Sequence, residues 1–237
     1  MWILSLFLAA VFLGGIFTGN HPVFTIDKLS KQLVLNTGLI VLTVFAVLLL
    51  LYNIGYFPQW LAAPFMMSVY SFVGGFLTGF SFRQYQKKRK GGDILYQHRS
   101  FWVDYAPNLL AIGLILFGIY RTSVLSDLPV TGIRVTSGVS LICFGIFTWT
   151  MKAVPEFREY GILLFDRLIK WDDVISWRWH SEEILAIEYI VGNEDDEDIH
   201  EFLTSVPLTE KKEIERILAS KADDYYEVRK KRLLKED

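Results

Sequence analysis

Chemistry, if this chain performs any, should show first in FDRLIKWDDVISWRWHSEEILAI, Phe165 to Ile187. That stretch holds an Asp172-Asp173 pair, His180 and three of the seven tryptophans. Paired carboxylates do acid–base work when their surroundings push their pKa values apart. Adjacent acids in a turn instead point apart and stay solvated, so Asp172 and Asp173 read as turn residues that bond nearby amides. His180 falls opposite the face that carries Trp177 and Trp179, toward water. The run Glu194–Asp198 gathers five acids. It lacks the spacing and central glycine of a calcium loop, and a solvated hairpin loop accounts for it. Cys143 is the only cysteine, so no disulfide framework or thiolate metal site forms within one chain. His21, His98, His180 and His200 are scattered, with no HxxxH or HExxH spacing. No phosphate-binding loop, dinucleotide fingerprint or nucleophile elbow appears. The expectation is a chain without catalytic residues, metal or cofactor.

The elements that would position these residues divide sharply by charge. Residues 1–150 sum to +6 and residues 151–237 to −8, while 52% of the whole chain is hydrophobic. A switch of that size marks two environments, a membrane part and a water-soluble part. A bilayer core about 30 Å thick takes roughly 20 apolar residues per helix. Five such runs occur, at about 2–17, 33–52, 60–82, 103–120 and 135–154, and together they predict a transmembrane domain over 1–154. The first lacks the basic start and small-residue exit of a cleaved signal and is expected to stay as a helix. Pro107 suits a first helical turn, where its missing N–H costs little.

Orientation follows the basic loops. The stretch Arg83–Arg99 carries six basic residues and one acid, which predicts a cytoplasmic loop. The N-terminus then lies outside, and the C-terminal part lies in the cytoplasm. The spans carry no ionisable residue at mid-depth, which weighs against a proton-coupled transporter. Within the third span Ser71, Gly75 and Gly79 recur every fourth position, a stripe that permits close helix approach. It suits packing within the chain and oligomerisation equally. The segment Leu13–Gly19 (LGGIFTG) echoes Val73–Gly79 (VGGFLTG), open to chance or an internal duplication. The run Lys87-Lys88-Arg89-Lys90 has three readings: topology determination, attraction to anionic lipid, and contact with the chain's own acidic domain.

After Pro155 the pattern turns to alternation. Gly161–Phe165, Leu168–Trp171, Ile175–His180, Ile184–Ile190 and His200–Val206 read as strands, the third with Ile175, Trp177 and Trp179 on one face. Asp166-Arg167 is the first turn. Pro207 ends the sheet, Thr209 caps a helix, and Ile214, Ile217 and Leu218 form its apolar stripe. The order EYGIL, LIKWDDVISW, ILAIEYI, LTSVP and then a helix resembles the pleckstrin-homology-like (PH-like) domains that follow transmembrane helices in small bacterial membrane proteins. The resemblance covers about Glu156–Ser220, most specifically Gly161-Ile162 and Ile169–Val174. It implies an antiparallel sheet closed by a C-terminal helix.

The expected fold is therefore five transmembrane helices plus a small α+β cytoplasmic domain over 155–222. That domain has about five antiparallel strands against the seven of a full PH domain, so no headgroup residue is carried over. A charged tail follows over 223–237. The expected role is a non-enzymatic scaffold or regulator at the bacterial inner membrane, in contact with the lipid bilayer and open to a protein partner at the cytoplasmic face. Self-association is open. Nucleic acid is not expected, because the soluble part is acidic. The alternative is a membrane-embedded enzyme or carrier with its site among the spans.

Overall fold

A computed structural model describes residues 2–22, 30–125, 127–151, 154–191 and 198–226. Two compact units emerge: residues 1–85 with 104–151, and residues 86–103 with 152–237. The chain passes between them three times.

The first unit is helical: α1 (Trp2–Asn20), α2 (Lys31–Ile54), most of α3 (Gln59–Lys90), α4 (Ala106–Arg121) and α5 (Gly132–Thr150). Among the described residues, five helical stretches are long and apolar enough to cross a membrane. The Ser30 hydroxyl accepts from the Leu33 amide to start α2, and Gly55 ends it at φ 88°. The Thr131 hydroxyl does the same for Arg134 at the start of α5. A π-helical turn, Phe101–Tyr105, leads into α4.

Hydrophobic burial does not drive helices together in lipid, so close backbone approach has to. Two pairs achieve it with small residues. In α1 and α3, a methyl built on Gly75 would strike the Phe12 carbonyl, and one on Gly79 the Ile16 carbonyl. In return, a methyl on Gly15 would strike the Phe72 carbonyl and one on Gly19 the Phe76 carbonyl. Every contact maps onto its reciprocal under a shift of sixty residues, the spacing of the LGGIFTG and VGGFLTG echo. Even the hydroxyl bonds match: Thr18 donates to the Gly14 carbonyl and Thr78 to that of Gly74, both at 2.8 Å. The echo is thus the sequence of a two-fold contact between parallel helices. In α4 and α5, Gly118 faces Gly138, and Gly145 faces Ala111, an antiparallel pair with heptad-spaced small residues.

The second unit holds seven strands among the described residues. They are β1 (Ile94–Gln97), β2 (Glu156–Arg158), β3 (Gly161–Leu164), β4 (Arg167–Lys170), β5 (Val174–Trp179), β6 (Ile184–Val191) and β7 (Asp198–Ser205). All pair antiparallel, in a four-stranded sheet β1-β2-β3-β4 and a three-stranded sheet β5-β6-β7. Helix α6 (Lys211–Asp224) contributes Ile214 and Leu218 to a core with Phe157, Ile162, Trp171, Leu185 and Ile187.

Several expectations change. The stretch 83–99 is not a loop: α3 runs on to Lys90, and Ile94–Gln97 is a strand that pairs with β2. At 1.5 Å per residue α3 is about 48 Å long, well beyond a hydrocarbon core. The fifth helix stops at Thr150 rather than 154. Seven strands in two sheets replace the expected five, because β1 comes from before α4 and three-residue β2 is too short to show periodicity. Leu185, Ile187 and Tyr189 share a buried face of β6, whereas Ile175, expected on the face of Trp177 and Trp179, is exposed. A register shift between Val174 and Ser176 turns Ile175 outward, and Val174 takes the core place. Trp171 is the buried tryptophan, and Trp177 and Trp179 pack partly buried at the core's margin. The first hairpin turns at Phe165-Asp166, with Phe165 at φ 49°. Thr209 does not cap α6; Glu210 holds that place and its carboxylate turns elsewhere. The run Glu194–Glu197 and the tail from Glu227 lie outside the described residues.

The α1–α3 contact yields the first prediction. Gly75→Leu should lower the midpoint of thermal unfolding in detergent and cost about 1–3 kcal/mol through overpacking. Gly14→Leu, where a methyl meets nothing within 4 Å, should leave the midpoint in place.

Candidate functional site

The end of α3 is where the sequence gathered its basic run, and the fold builds a polar seam around it within the second unit. Lys87, Lys88, Arg89 and Lys90 occupy the last helical turn, where cations complement the partial negative charge of unpaired carbonyls. Gly92 follows at φ 74° and reverses the chain. Arg158, from β2, then reaches in. Its Nη1 donates to the Lys88 carbonyl at 3.0 Å and to the Gly92 carbonyl at 2.9 Å, and its Nε donates to Glu156 Oε2 at 2.9 Å. Gly91 makes room, because a methyl there would lie 2.7 Å from Arg158 Cδ. The Glu159 and Tyr160 amides donate to the Asp93 and Gly91 carbonyls. Lys87 Nζ donates to the Asp166 carbonyl. Arg89 and Lys90 remain exposed.

Glu156 and Arg158 are buried. A buried ion pair needs its remaining polar atoms bonded to offset the loss of water, and the main-chain acceptors around Arg158 supply that. Trp171 closes the same patch with its Nε1 on the Arg158 carbonyl at 2.9 Å.

A second cluster joins β1 to the start of α6. The Tyr96 hydroxyl donates to Glu210 Oε2, and His98 Nδ1 lies 3.0 Å from the same oxygen. Burial and the neighbouring Glu210 carboxylate together push the Tyr96 hydroxyl's pKa up. Burial alone would raise Glu210, but the bonds from Tyr96 and His98 and the charge of His98 outweigh it and hold the carboxyl below its usual value. Beside it Trp179 Nε1 donates to Glu215 at 2.8 Å, and Lys211 Nζ sits 4.3 Å over the Trp179 ring.

The residues first suspected of chemistry are kept apart. Asp172 and Asp173 lie in the turn before β5, where the Asp173 amide and carbonyl bond to Lys170 and Ile190. His180 lies exposed beyond the other end of that six-residue strand, about 20 Å away at 3.3 Å per residue. Ser71, Gly75 and Gly79 are buried within the helical unit, the two glycines against α1. Sequence reasoning missed Arg158, Glu156, Tyr96, His98 and Glu210. Gly91-Gly92-Asp93 marks the end of α3, and the sequence carries no local signal for the five.

Residues 153–222 match the model of a domain of unknown function (DUF5673). The matched segment holds β2 to β7 and most of α6, and leaves out β1. No curated protein and no solved structure matches the chain.

One prediction tests the seam and one the second cluster. Arg158→Met strands the Glu156 carboxylate and should cost about 3–5 kcal/mol in chemical denaturation followed by tryptophan fluorescence. The double change E156L/R158M should recover much of that loss. Glu210 has a depressed pKa in the folded state, so its contribution is present above the unfolded-state pKa and fades as pH falls through the folded one. Tyr96→Phe removes one of the bonds that depress it. A carboxyl NMR titration should then show Glu210 protonating at higher pH than in the parent chain.

Proposed function

We propose that this chain is a non-enzymatic membrane protein of the bacterial inner membrane, with a PH-like domain that serves as a scaffold or regulator for a protein partner or lipid surface. The N-terminus lies outside and the second unit in the cytoplasm, as the basic residues 83–99 favour. The PH-like reading gains from β1. With that strand counted, the second unit has seven strands and a terminal helix, the number of a full PH domain and not the five expected.

The observation that carries the proposal is the place of α4 and α5. They are inserted between β1 and β2, two strands that pair with each other. A domain meant to act free in solution has no use for a membrane hairpin threaded through its sheet. One meant to stay at the bilayer surface gains three covalent ties. Arg158 then fastens β2 to the end of α3.

One observation favours a second reading, a carrier of an apolar small molecule or lipid. An apolar groove of about 210 Å³ lies between α2 and α3, lined by residues that include Phe45, Leu49, Tyr52, Phe65 and Met66.

Crosslinking in native membranes followed by affinity purification separates the two. The scaffold reading expects a reproducible protein partner that survives detergent. A lipid or small molecule retained in stoichiometric amount, with no partner, would overturn it and favour the carrier.

A further inference from the structure

We infer that β7 is a docking edge, where a partner protein adds an extended strand with a basic side chain between two apolar ones. The inference rests on the scaffold reading, since it assigns that reading's partner a place and a chemistry.

An edge strand offers unpaired N–H and C=O groups, and proteins shield such edges with short length, bulges, lysine or proline. Among the described residues the two sheets have four edges: β1, β4, β5 and β7. Three are shielded. β1 is four residues long with a register shift, β4 is four residues long with Arg167 and Lys170, and β5 is broken by its shift at Val174–Ser176. β7 differs. It runs eight residues in unbroken register against β6, with no lysine, arginine or proline.

The ladder shows which of its groups are free. The Val206 amide donates to the Glu183 carbonyl at 2.8 Å, which makes 183 and 206 a hydrogen-bonded pair. Such pairs alternate along an antiparallel ladder. Phe202, Thr204 and His200 therefore bond to β6, while the main chain of Ile199, Glu201, Leu203 and Ser205 points off the sheet. The side chains of this second set share the outer face. Ile199 is 71% exposed and Leu203 57%, two apolar residues on either side of Glu201.

Charge selects the occupant. Arg178 lies 3.0 Å from Glu201 and 3.7 Å from Glu188, one guanidinium for two carboxylates. A second copy of β7 in the register that sets Ile199 against Leu203 would place Glu201 opposite Glu201, and like charges directly opposite are destabilising. A strand with apolar–x–basic–x–apolar spacing sets its cation against Glu201 and its apolar side chains beside Ile199 and Leu203. Main-chain bonds then provide affinity and alternate side chains provide specificity.

The test uses the full chain in detergent and a fluorescein-labelled heptapeptide, Thr-Leu-Thr-Lys-Thr-Leu-Thr, with a Glu-centred counterpart. The Lys-centred peptide should bind about three- to tenfold more tightly, as expected for opposite against like cross-strand charge. On binding, amide exchange should slow at Ile199, Glu201 and Leu203, and not at the ladder-bonded His200, Phe202 and Thr204. Leu203→Pro removes a free-edge amide and no bond to β6, and should abolish binding with little change in melting. Glu201→Lys should reverse the charge preference, which keeps the test decisive if the proline variant fails to fold. The inference is overturned by no binding at millimolar peptide, by equal binding of the two peptides, or by binding without protection of the three edge amides. It is equally overturned if that protection arises without peptide, through concentration-dependent self-association or on anionic vesicles. A partner captured in native membranes together with a failed peptide sinks edge docking alone. The absence of any partner sinks the scaffold reading itself.

Discussion

The pairing of β1 with β2 is the constraint from which the rest of this structure follows. Backbone polar groups must be bonded when buried, and β2 is only three residues long with every residue buried. It survives as a strand because it has neighbours on both sides, β1 and β3. Yet β1 and β2 are separated in sequence by α4 and α5. Strands that share a ladder lie on one side of any bilayer, so the helices between them must cross in even number. Two helices that are long and apolar enough to cross, one ending in Arg121 and one running Gly132–Thr150, lie between them.

The helical unit meets a related constraint with other means. Where the surrounding medium is as apolar as the side chains, only close contact and polar bonds distinguish a packed pair from two separate helices. Gly15, Gly19, Gly75 and Gly79 bring two backbones together, and Gly118, Gly138 and Gly145 do so for a second pair. The hydroxyls of Thr18 and Thr78 donate back to their own helices and leave the interface free for backbone contact. The sixty-residue echo has a physical reason in this geometry. A parallel contact with two-fold symmetry asks for the same residues at the same positions on both partners. Selection for that contact produces an echo with or without an ancestral duplication.

Much of this was legible in the sequence, for identifiable reasons. The spans follow from apolar length, and one buried face of β6 follows from Leu185, Ile187 and Tyr189 at every second position. The helix α6 follows from Ile214 and Leu218 at helical spacing. What escaped reading was non-local. Ile94–Gln97 is too short to display a period, and its partner lies about sixty residues away. Ile175 fits the alternation of its strand and leaves the core only because of a register shift that no single strand reveals. Thr209 is a good capping residue on local grounds. It lost to Glu210, whose carboxylate has partners, Tyr96 and His98, that come from another part of the chain. The seam at Arg158 was invisible for the same reason: both carbonyls it bonds belong to a segment read as a loop.

The buried Glu156–Arg158 pair then has an explanation beyond stability. Replacing such a pair by well-packed apolar residues is often neutral or stabilising, so stability alone seldom accounts for one. Register does. A one-residue slip of a strand sends every side chain to the opposite face, and three-residue β2 has only Phe157 as a large apolar anchor. Arg158 adds a directional demand. Its guanidinium reaches the Lys88 and Gly92 carbonyls and the Glu156 carboxylate together in one position of the strand. A slip would keep the Glu156 contact, which lies within one strand, but would take Arg158 away from both carbonyls. The pair thus specifies how a strand made after α5 meets one made before α4, the step of assembly that neither sequence proximity nor hydrophobic pattern can enforce.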